Sequence, residues 1–243
     1  MRVLVTGASS GIGRAIALAC AARGDTVIAS ARDQAALSEL GHGIIPCAGD
    51  VTREEDRARL VETAGEVDVL VNNAGRGYYA SFADVDAREL EDLFRLNVIA
   101  PLRLTQLALP ALERTRGVVV MMSSVAGVAA SPKMGAYAAS KFALEALSIA
   151  LRAEVASRGV SVVVVRPGPV DTPFRAHSVA HGTEAGVRPP GSRAQTPERI
   201  AEYTLRAIKR RTPVVETSAF VRVASFGARA VPPIFRAALS RMR

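Results

Sequence analysis

The strongest constraint on this chain is a series of nearly unbroken apolar runs rich in β-favouring residues. They are residues 2–6 (RVLVT), the TVIASA run from Thr26, VDVLVNNAG from Val67, GVVVMMSS from Gly117 and GVSVVVVRPG from Gly159. A strand that is apolar at every position has no solvent face, so both of its faces must be covered. The segments between these runs read as helices. Residues 11–23 (GIGRAIALACAAR) form a small-residue amphipathic stretch stopped by Gly24. Residues 42–48 (HGIIPCA) read as a further strand. Residues 52–64 read as a helix with Thr52 as N-cap and Glu55 at N3, a capping box. Residues 86–112 form a long helix with Pro101 and Pro110 near its bends, and 134–157 form another. Strands alternating with helices predict a doubly wound α/β fold around a parallel sheet.

Residues 168–196 break the alternation. They are rich in Gly, Pro, Ser, His and Arg and have no period. They follow the last long apolar strand, on the side where ligands bind in such sheets, so a lid is expected there. Residues 212–218 (TPVVETS) are the candidate last strand. We expect a catalytic domain over 1–211, lid included, and a basic, apolar tail over 212–243.

A chain of 243 residues is ordinary for a single α/β domain. The net charge of +8 is uneven: from Arg206 onward there are nine basic residues and one acid, Glu216, which accounts for the whole excess. The rest of the chain is neutral. That neutrality and the low aromatic content argue against a nucleic-acid partner. No apolar run is long enough to span a bilayer, and the N-terminus lacks the features of a secretory signal. Cys20 and Cys47 sit in apolar contexts without metal-ligand spacing, which suggests buried thiols, no metal and a cytoplasmic location. In the tail, Arg222, Arg229, Arg236 and Arg243 recur every seven residues among Phe220, Val223, Phe226, Ile234, Phe235 and Leu239. Pro232-Pro233 would split it into two short helices. One reading lays it on an anionic membrane surface. The favoured reading packs it on the body or across a subunit interface.

The segment VTGASSGIG joins the first strand to the first helix. Gly7 suits a tight turn, while Gly11 and Gly13 let the backbone approach a pyrophosphate at a helix N-terminus. The same residues satisfy the G-x-S-x-G pattern of a hydrolase nucleophile elbow. Chain order excludes that reading: too few residues precede Ser9 to supply the upstream oxyanion loop. A dinucleotide fold usually places an acid after its second strand to bind the ribose 2′-hydroxyl. Here Ala31 takes that position and Arg32 follows. A guanidinium suits a 2′-phosphate, which points to NADP(H).

Tyr137 and Lys141 stand four residues apart in the GAYAASKFALEAL stretch. On a helix this puts them about 5–6 Å apart at Cβ. A nearby cation favours phenolate and lowers a phenol pKa, so the pair is expected to carry proton transfer. Ser124 lies thirteen residues before Tyr137, at a strand end.

Taken together these segments resemble the short-chain dehydrogenase/reductases. Thr6, Gly7, Gly11 and Gly13 match that family's T-G-x-x-x-G-x-G. Asp50-Val51 matches its adenine-contacting acid, and Asn72-Asn73-Ala74-Gly75 its N-N-A-G. Asn97 matches its mid-helix asparagine, Ser124, Tyr137 and Lys141 its serine and Y-x-x-x-K, and Pro167-Gly168 with Val170 and Thr172 its P-G…V…T. The resemblance implies hydride transfer between NADP(H) and a ketone, aldehyde or secondary alcohol, with Tyr137 as proton donor or acceptor and Ser124 holding the substrate oxygen. It implies that Lys141 also holds the nicotinamide ribose and that Asn97 positions a water. It places Gly7, Ser9, Ser10, Gly11, Ile12, Gly13, Arg32, Asp50, Val51, Asn73, Ala74, Gly75, Pro167, Gly168, Val170 and Thr172 on the cofactor. A dimer or tetramer is expected. Two further readings stand beside this one. One is a 3-oxoacyl thioester reductase whose basic tail attracts an acidic carrier. The other is a nucleotide-binding regulatory module without turnover. His177 and His181 have no assigned role. The resemblance fades beyond residue 205.

Overall fold

The computed structural model describes residues 1–182 and 193–230. In chain order the elements are β1 (Arg2–Thr6), α1 (Gly11–Ala21), β2 (Thr26–Ala31), α2 (Gln34–Ser38), β3 (Ile44–Ala48), α3 (Glu54–Ala64), β4 (Val69–Asn72), β5 (Tyr78–Ala80), α4 (Ala87–Phe94), α5 (Ala100–Thr115), β6 (Val118–Met122), α6 (Gly135–Val155), β7 (Ser161–Arg166), β8 (Val179–His181), α7 (Pro197–Arg210), β9 (Val214–Glu216) and α8 (Ala219–Ala230).

The expected doubly wound α/β sheet is present. Its order is β3-β2-β1-β4-β6-β7-β9, and every pairing is parallel. Alternate residues of one strand serve opposite layers, as the unbroken apolar runs require. Val3, Val5, Val163 and Val165 pack with Ile16, Cys20 and Ile200 of α1 and α7. Leu4, Val162 and Val164 pack with Leu60, Leu104 and Leu144 of α3, α5 and α6. Strand order reverses between β1 and β4, so the loops leaving these two strands diverge and leave a crevice. Pro46 is tolerated because β3 is an edge strand.

Several expectations need correction. The helix predicted over 52–64 begins at Glu54 with Arg53 as N-cap, and the cap has no side-chain hydrogen bond. Thr52 gives both its N–H and its hydroxyl to Asp50 Oδ1, at 2.9 and 2.7 Å. That local turn takes the hydroxyl the capping box needed. The long helix predicted over 86–112 is two helices joined by a π turn, Arg95–Ile99. Pro101 is the second residue of α5 and directly follows the π turn, where its missing N–H goes with the break in the regular hydrogen-bond ladder. Pro110 lies inside α5, not at a bend.

Within the span predicted as an unstructured lid, β8 pairs in parallel with β5 to make a small second sheet. Residues 183–192 of that span lie outside the described residues. β9 joins the main sheet beside β7, so the segment set apart as a tail from 212 starts inside the core sheet. α8 follows and buries Val221 and Ser225 against the body. The same helix leaves Val223 and Phe226 exposed. Pro232-Pro233, Ile234, Phe235, Arg236, Leu239 and Arg243 lie outside the described residues. Among the described residues no helix is long and apolar enough to cross a membrane.

Candidate active site

The crevice at the strand-order reversal is a cleft of about 1500 Å³. The glycine loop forms its floor. Gly7 and Gly11 adopt φ of +66° and +52°, a backbone region that glycine enters without steric cost. Gly13 has no room for a side chain, since a Cβ there would fall 2.2 Å from the Gly7 carbonyl oxygen. Thr6 and Asn73 lock this loop to the end of β4. Thr6 Oγ1 accepts from the N–H groups of Asn73 and Ala74, both at 3.0 Å. Asn73 Nδ2 donates to the carbonyls of Thr6 and Gly7 at 2.9 and 3.2 Å. Asn73, expected on the cofactor, has its amide engaged in shaping the loop.

The N-terminus of α1 has no side-chain cap and no acid in its first turn. It presents unmatched N–H groups and the positive end of a helix dipole to the cleft. Ser9, Ser10, Gly11 and Ile12 line this part, with Ala74, Gly75 and, further along, Arg32, Asp50 and Val51. Arg32 is solvent-exposed. Its neighbour Asp33 caps α2, accepting from Ala36 N at 3.0 Å. The cradle therefore fits a dinucleotide: an open helix N-terminus for the phosphates and a free-standing guanidinium beyond β2.

The other end of the cleft gathers Ser124, Tyr137 and Lys141. β6 delivers Ser124, whose Oγ accepts from Ala126 N at 3.1 Å. Ser123 also lines the cleft, but its Oγ is buried without a partner among the described residues. α6 supplies Tyr137 and, one turn later, Lys141, and both are nearly fully buried. Lys141 Nζ donates to the Met122 carbonyl at 2.9 Å and lies 5.9 Å from the Tyr137 ring centre.

The pKa pattern departs from the simple expectation. Burial pushes the Tyr137 phenol above its ordinary range; the Ser124 hydroxyl opposes this, and the Tyr79 phenol adds to it. Lys141 is not among the groups that move it. Burial instead brings Lys141 itself down to about 8, with Glu145 opposing. Burial dominates both groups in this structure, and the Lys141 amine is turned to the main-chain carbonyl of Met122.

Asn97 sits on the π turn, whose extra residue rotates it inward. Its Oδ1 accepts from Arg76 N at 3.0 Å, and its Nδ2 donates to Arg76 O at 3.0 Å and Ser140 Oγ at 3.1 Å. A Cβ on Gly75 would lie 3.0 Å from Asn97 Oδ1 and 3.6 Å from Lys141 Nζ, so these three residues converge on one point.

The segment after β7 closes over the cleft. Val125 N donates to Pro167 O at 2.9 Å, Val170 bridges to Gln195, and Thr172 Cγ2 approaches to 3.1 Å of the position a Gly11 Cβ would take. Gly168 and Val170 also line the cleft.

Three further side chains were not singled out by the sequence, though Tyr79 and Phe174 fall in stretches expected to shape the substrate end. Phe174 packs on Tyr137 with ring centres 5.9 Å apart. Tyr79, from β5, lines the same end of the cleft. Arg166, at the end of a four-valine run, is fully buried and forms a bidentate pair with Glu145, both contacts at 2.8 Å, plus a third to Glu216 at 3.1 Å. A charge ending an apolar strand beside Pro-Gly was the available signal. His177 lines the cleft; His181 packs against Tyr78 with ring centres 5.7 Å apart and planes tilted by 53°. Both cysteines are free and buried. Among the described residues no cluster of His, Cys, Asp or Glu could hold a metal.

Comparison with known proteins identifies the family and the fold. Residues 1–182 match the family described as short chain dehydrogenase. The chain is 33% identical over 229 residues to the protein named ketoacyl reductase HetN of Nostoc, covering 86% of this chain and 76% of that protein. A short chain dehydrogenase from Burkholderia cenocepacia, solved in complex with NADP, superposes with a TM-score of 0.87 at 27% identity, covering 98% and 96% of the two chains. A short chain dehydrogenase/reductase from Burkholderia phymatum, solved in complex with NAD, shares the fold with a TM-score of 0.85 at 24% identity, covering 96% and 94%. On the match over most of its length, the chain belongs to the short-chain dehydrogenase/reductase family of NAD(P)-dependent oxidoreductases.

Proposed function

We propose that the protein interconverts a ketone or aldehyde with an alcohol, using NADP(H), and that Tyr137 moves the proton. The observation that carries this reading is the opening of Ser124, Tyr137 and Lys141 onto the same cleft as the glycine loop. When bound, the nicotinamide supplies the hydride. The residues of this chain do the rest. The α1 N-terminus and loop residues Ser9 to Gly13 hold the phosphates, and Arg32 meets the 2′-phosphate. Asp50 and Val51 flank the adenine, and Pro167, Gly168, Val170 and Thr172 close over the reacting end.

As a carbonyl is reduced, negative charge develops on its oxygen and must meet an acid. Ser124 donates to that oxygen and Tyr137 gives it a proton. A phenol held neutral by burial suits the proton-donating direction. For the reverse direction a cation must come to the phenolate, and Lys141 is the buried amine nearest that ring. Asn97 holds the Arg76 peptide beside Lys141 and so shapes the exit by which the proton is replaced.

A 3-oxoacyl thioester reductase is a second reading, favoured by the relative named ketoacyl reductase. A regulatory module without turnover would not need the complete set of Asn97, Ser124, Tyr137 and Lys141. The free, buried cysteines suit a reducing, cytoplasmic setting. Ile99, Leu102, Phe142 and Ile149 are exposed apolar residues on the α5–α6 side of the sheet and support a homo-oligomer.

The test is Tyr137→Phe. NADPH oxidation with a panel of ketones, aldehydes and acyl thioesters should fall by about 10³-fold, while NADPH affinity by fluorescence titration stays within about threefold. Full turnover in the variant would remove Tyr137 from proton transfer.

A further inference from the structure

We propose that the substrate end of the cleft holds a subsite for an anionic oxygen group, formed by Lys133, Arg175 and the hydroxyl of Tyr79. The substrate then carries a carboxylate or phosphate separated from its carbonyl by an apolar segment. This rests on the oxidoreductase reading only for the carbonyl.

The wall near Ser124 and Tyr137 is apolar, with Val125, Ala126, Ala129, Met134 and Phe174. Against that wall two cations stand out. Arg76 and Arg95 of the same cleft are paired, with Glu89 at 2.7 Å and Asp92 at 3.6 Å. Lys133 and Arg175 have no acidic partner within 4.0 Å among the described residues.

Both flank Tyr79. Lys133 is a non-glycine residue at φ +62°, a conformation that side-chain-bearing residues adopt at a cost and keep only where surroundings hold it. Here its carbonyl accepts from Ala80 N at 2.9 Å, which ties it to the residue after Tyr79. Arg175 follows Phe174 and lies close enough to Tyr79 for its charge to favour phenolate against burial, which raises that pKa. Tyr79 is nearly fully buried, lines the cleft, and its hydroxyl has no hydrogen-bond partner among the described residues. Lys133 lies two residues before α6, whose first turn holds no acid and whose start has no side-chain cap, so the helix dipole adds positive potential near it.

A neutral ketone would leave these groups unused. A carboxylate or phosphate would take a forked guanidinium contact, an ammonium and a phenol donor together.

The experiment measures binding of octanoate, octyl phosphate and octanol by calorimetry with NADPH present, in the full chain and in Arg175→Met, Lys133→Met and the double variant. At least one anion should bind about tenfold or more tightly than octanol, and which one identifies the group. The double variant should reduce that ratio to within about twofold of one. Equal affinity for all three probes, no binding of either anion, or a preference that survives in the double variant overturns the subsite. None of these readouts needs turnover. A failed carbonyl panel with an intact anion preference would sink the oxidoreductase reading alone, and active turnover without anion preference would sink the subsite alone.

Discussion

Lys141 Nζ gives a hydrogen bond to the Met122 carbonyl 2.9 Å away while its ammonium lies 5.9 Å from the centre of the Tyr137 ring. A buried amine in that position is half-tuned. Burial makes it a weaker base, the Glu145 carboxylate one turn on resists the change, and the result is a pKa of about 8. Its charge is thus adjustable near neutrality, which an exposed lysine's is not.

The first prediction follows from that amine. Lys141 has a folded-state pKa below its unfolded value, so between about pH 8 and 10.5 the unfolded chain binds the extra proton. The penalty for burying the charge is present below pH 8 and is relieved as pH rises through that window. Relative to Lys141→Met, the wild-type protein should therefore gain on the order of 2–3 kcal/mol between pH 8 and 10.5. Urea unfolding of both proteins across that range measures it. A constant difference would show that the fold leaves the Lys141 pKa near its unfolded value.

Arg32 stands exposed at the cleft rim beyond β2 with Asp33 occupied as the α2 cap. Arg32→Ala should weaken NADPH binding by about tenfold or more, the scale of one charge-assisted contact. NADH binding should change by less than about twofold. Fluorescence titration with each cofactor decides it, and parallel losses would place the 2′-phosphate elsewhere.

Gly13→Ala puts a methyl group 2.2 Å from the Gly7 carbonyl oxygen. The contact is with backbone, so no side chain can swing away. Overpacking of this kind costs about 1–3 kcal/mol. Tm should fall by about 5 °C, and dinucleotide affinity should fall with it, because the same loop shapes the α1 N-terminus. Calorimetric melting with and without NADPH reads both.

The Arg166–Glu145 pair is buried on both sides. Glu145→Gln leaves a guanidinium facing a neutral amide and retaining only Glu216 as an acidic partner. Breaking one side of such a pair costs about 3 kcal/mol or more. The expected result is a lower urea midpoint at unchanged slope, and a loss under about 1 kcal/mol would show that Glu216 alone satisfies Arg166.

The fold and the placing of the site were legible in the chain because both depend on short-range pattern. Unbroken valine runs admit no exposed face, so a covered parallel sheet follows. Gly7, Gly11 and Gly13 admit one kind of strand-to-helix turn, and a four-residue spacing puts Tyr137 and Lys141 on one helix face. Where two local patterns competed, the pattern alone failed: Thr52 could cap a helix or bond Asp50, and only the folded chain chose.

Tertiary structure decided what depends on distance in space. It set the direction of the Lys141 amine, the burial that raises the Tyr137 phenol, the Arg166–Glu145–Glu216 network, and the β5–β8 pairing that sets Tyr79 beside Ala180. Each of these joins residues far apart in sequence through desolvation or a hydrogen bond. Both scale with the surroundings that the packed chain supplies and not with the order of residues along it.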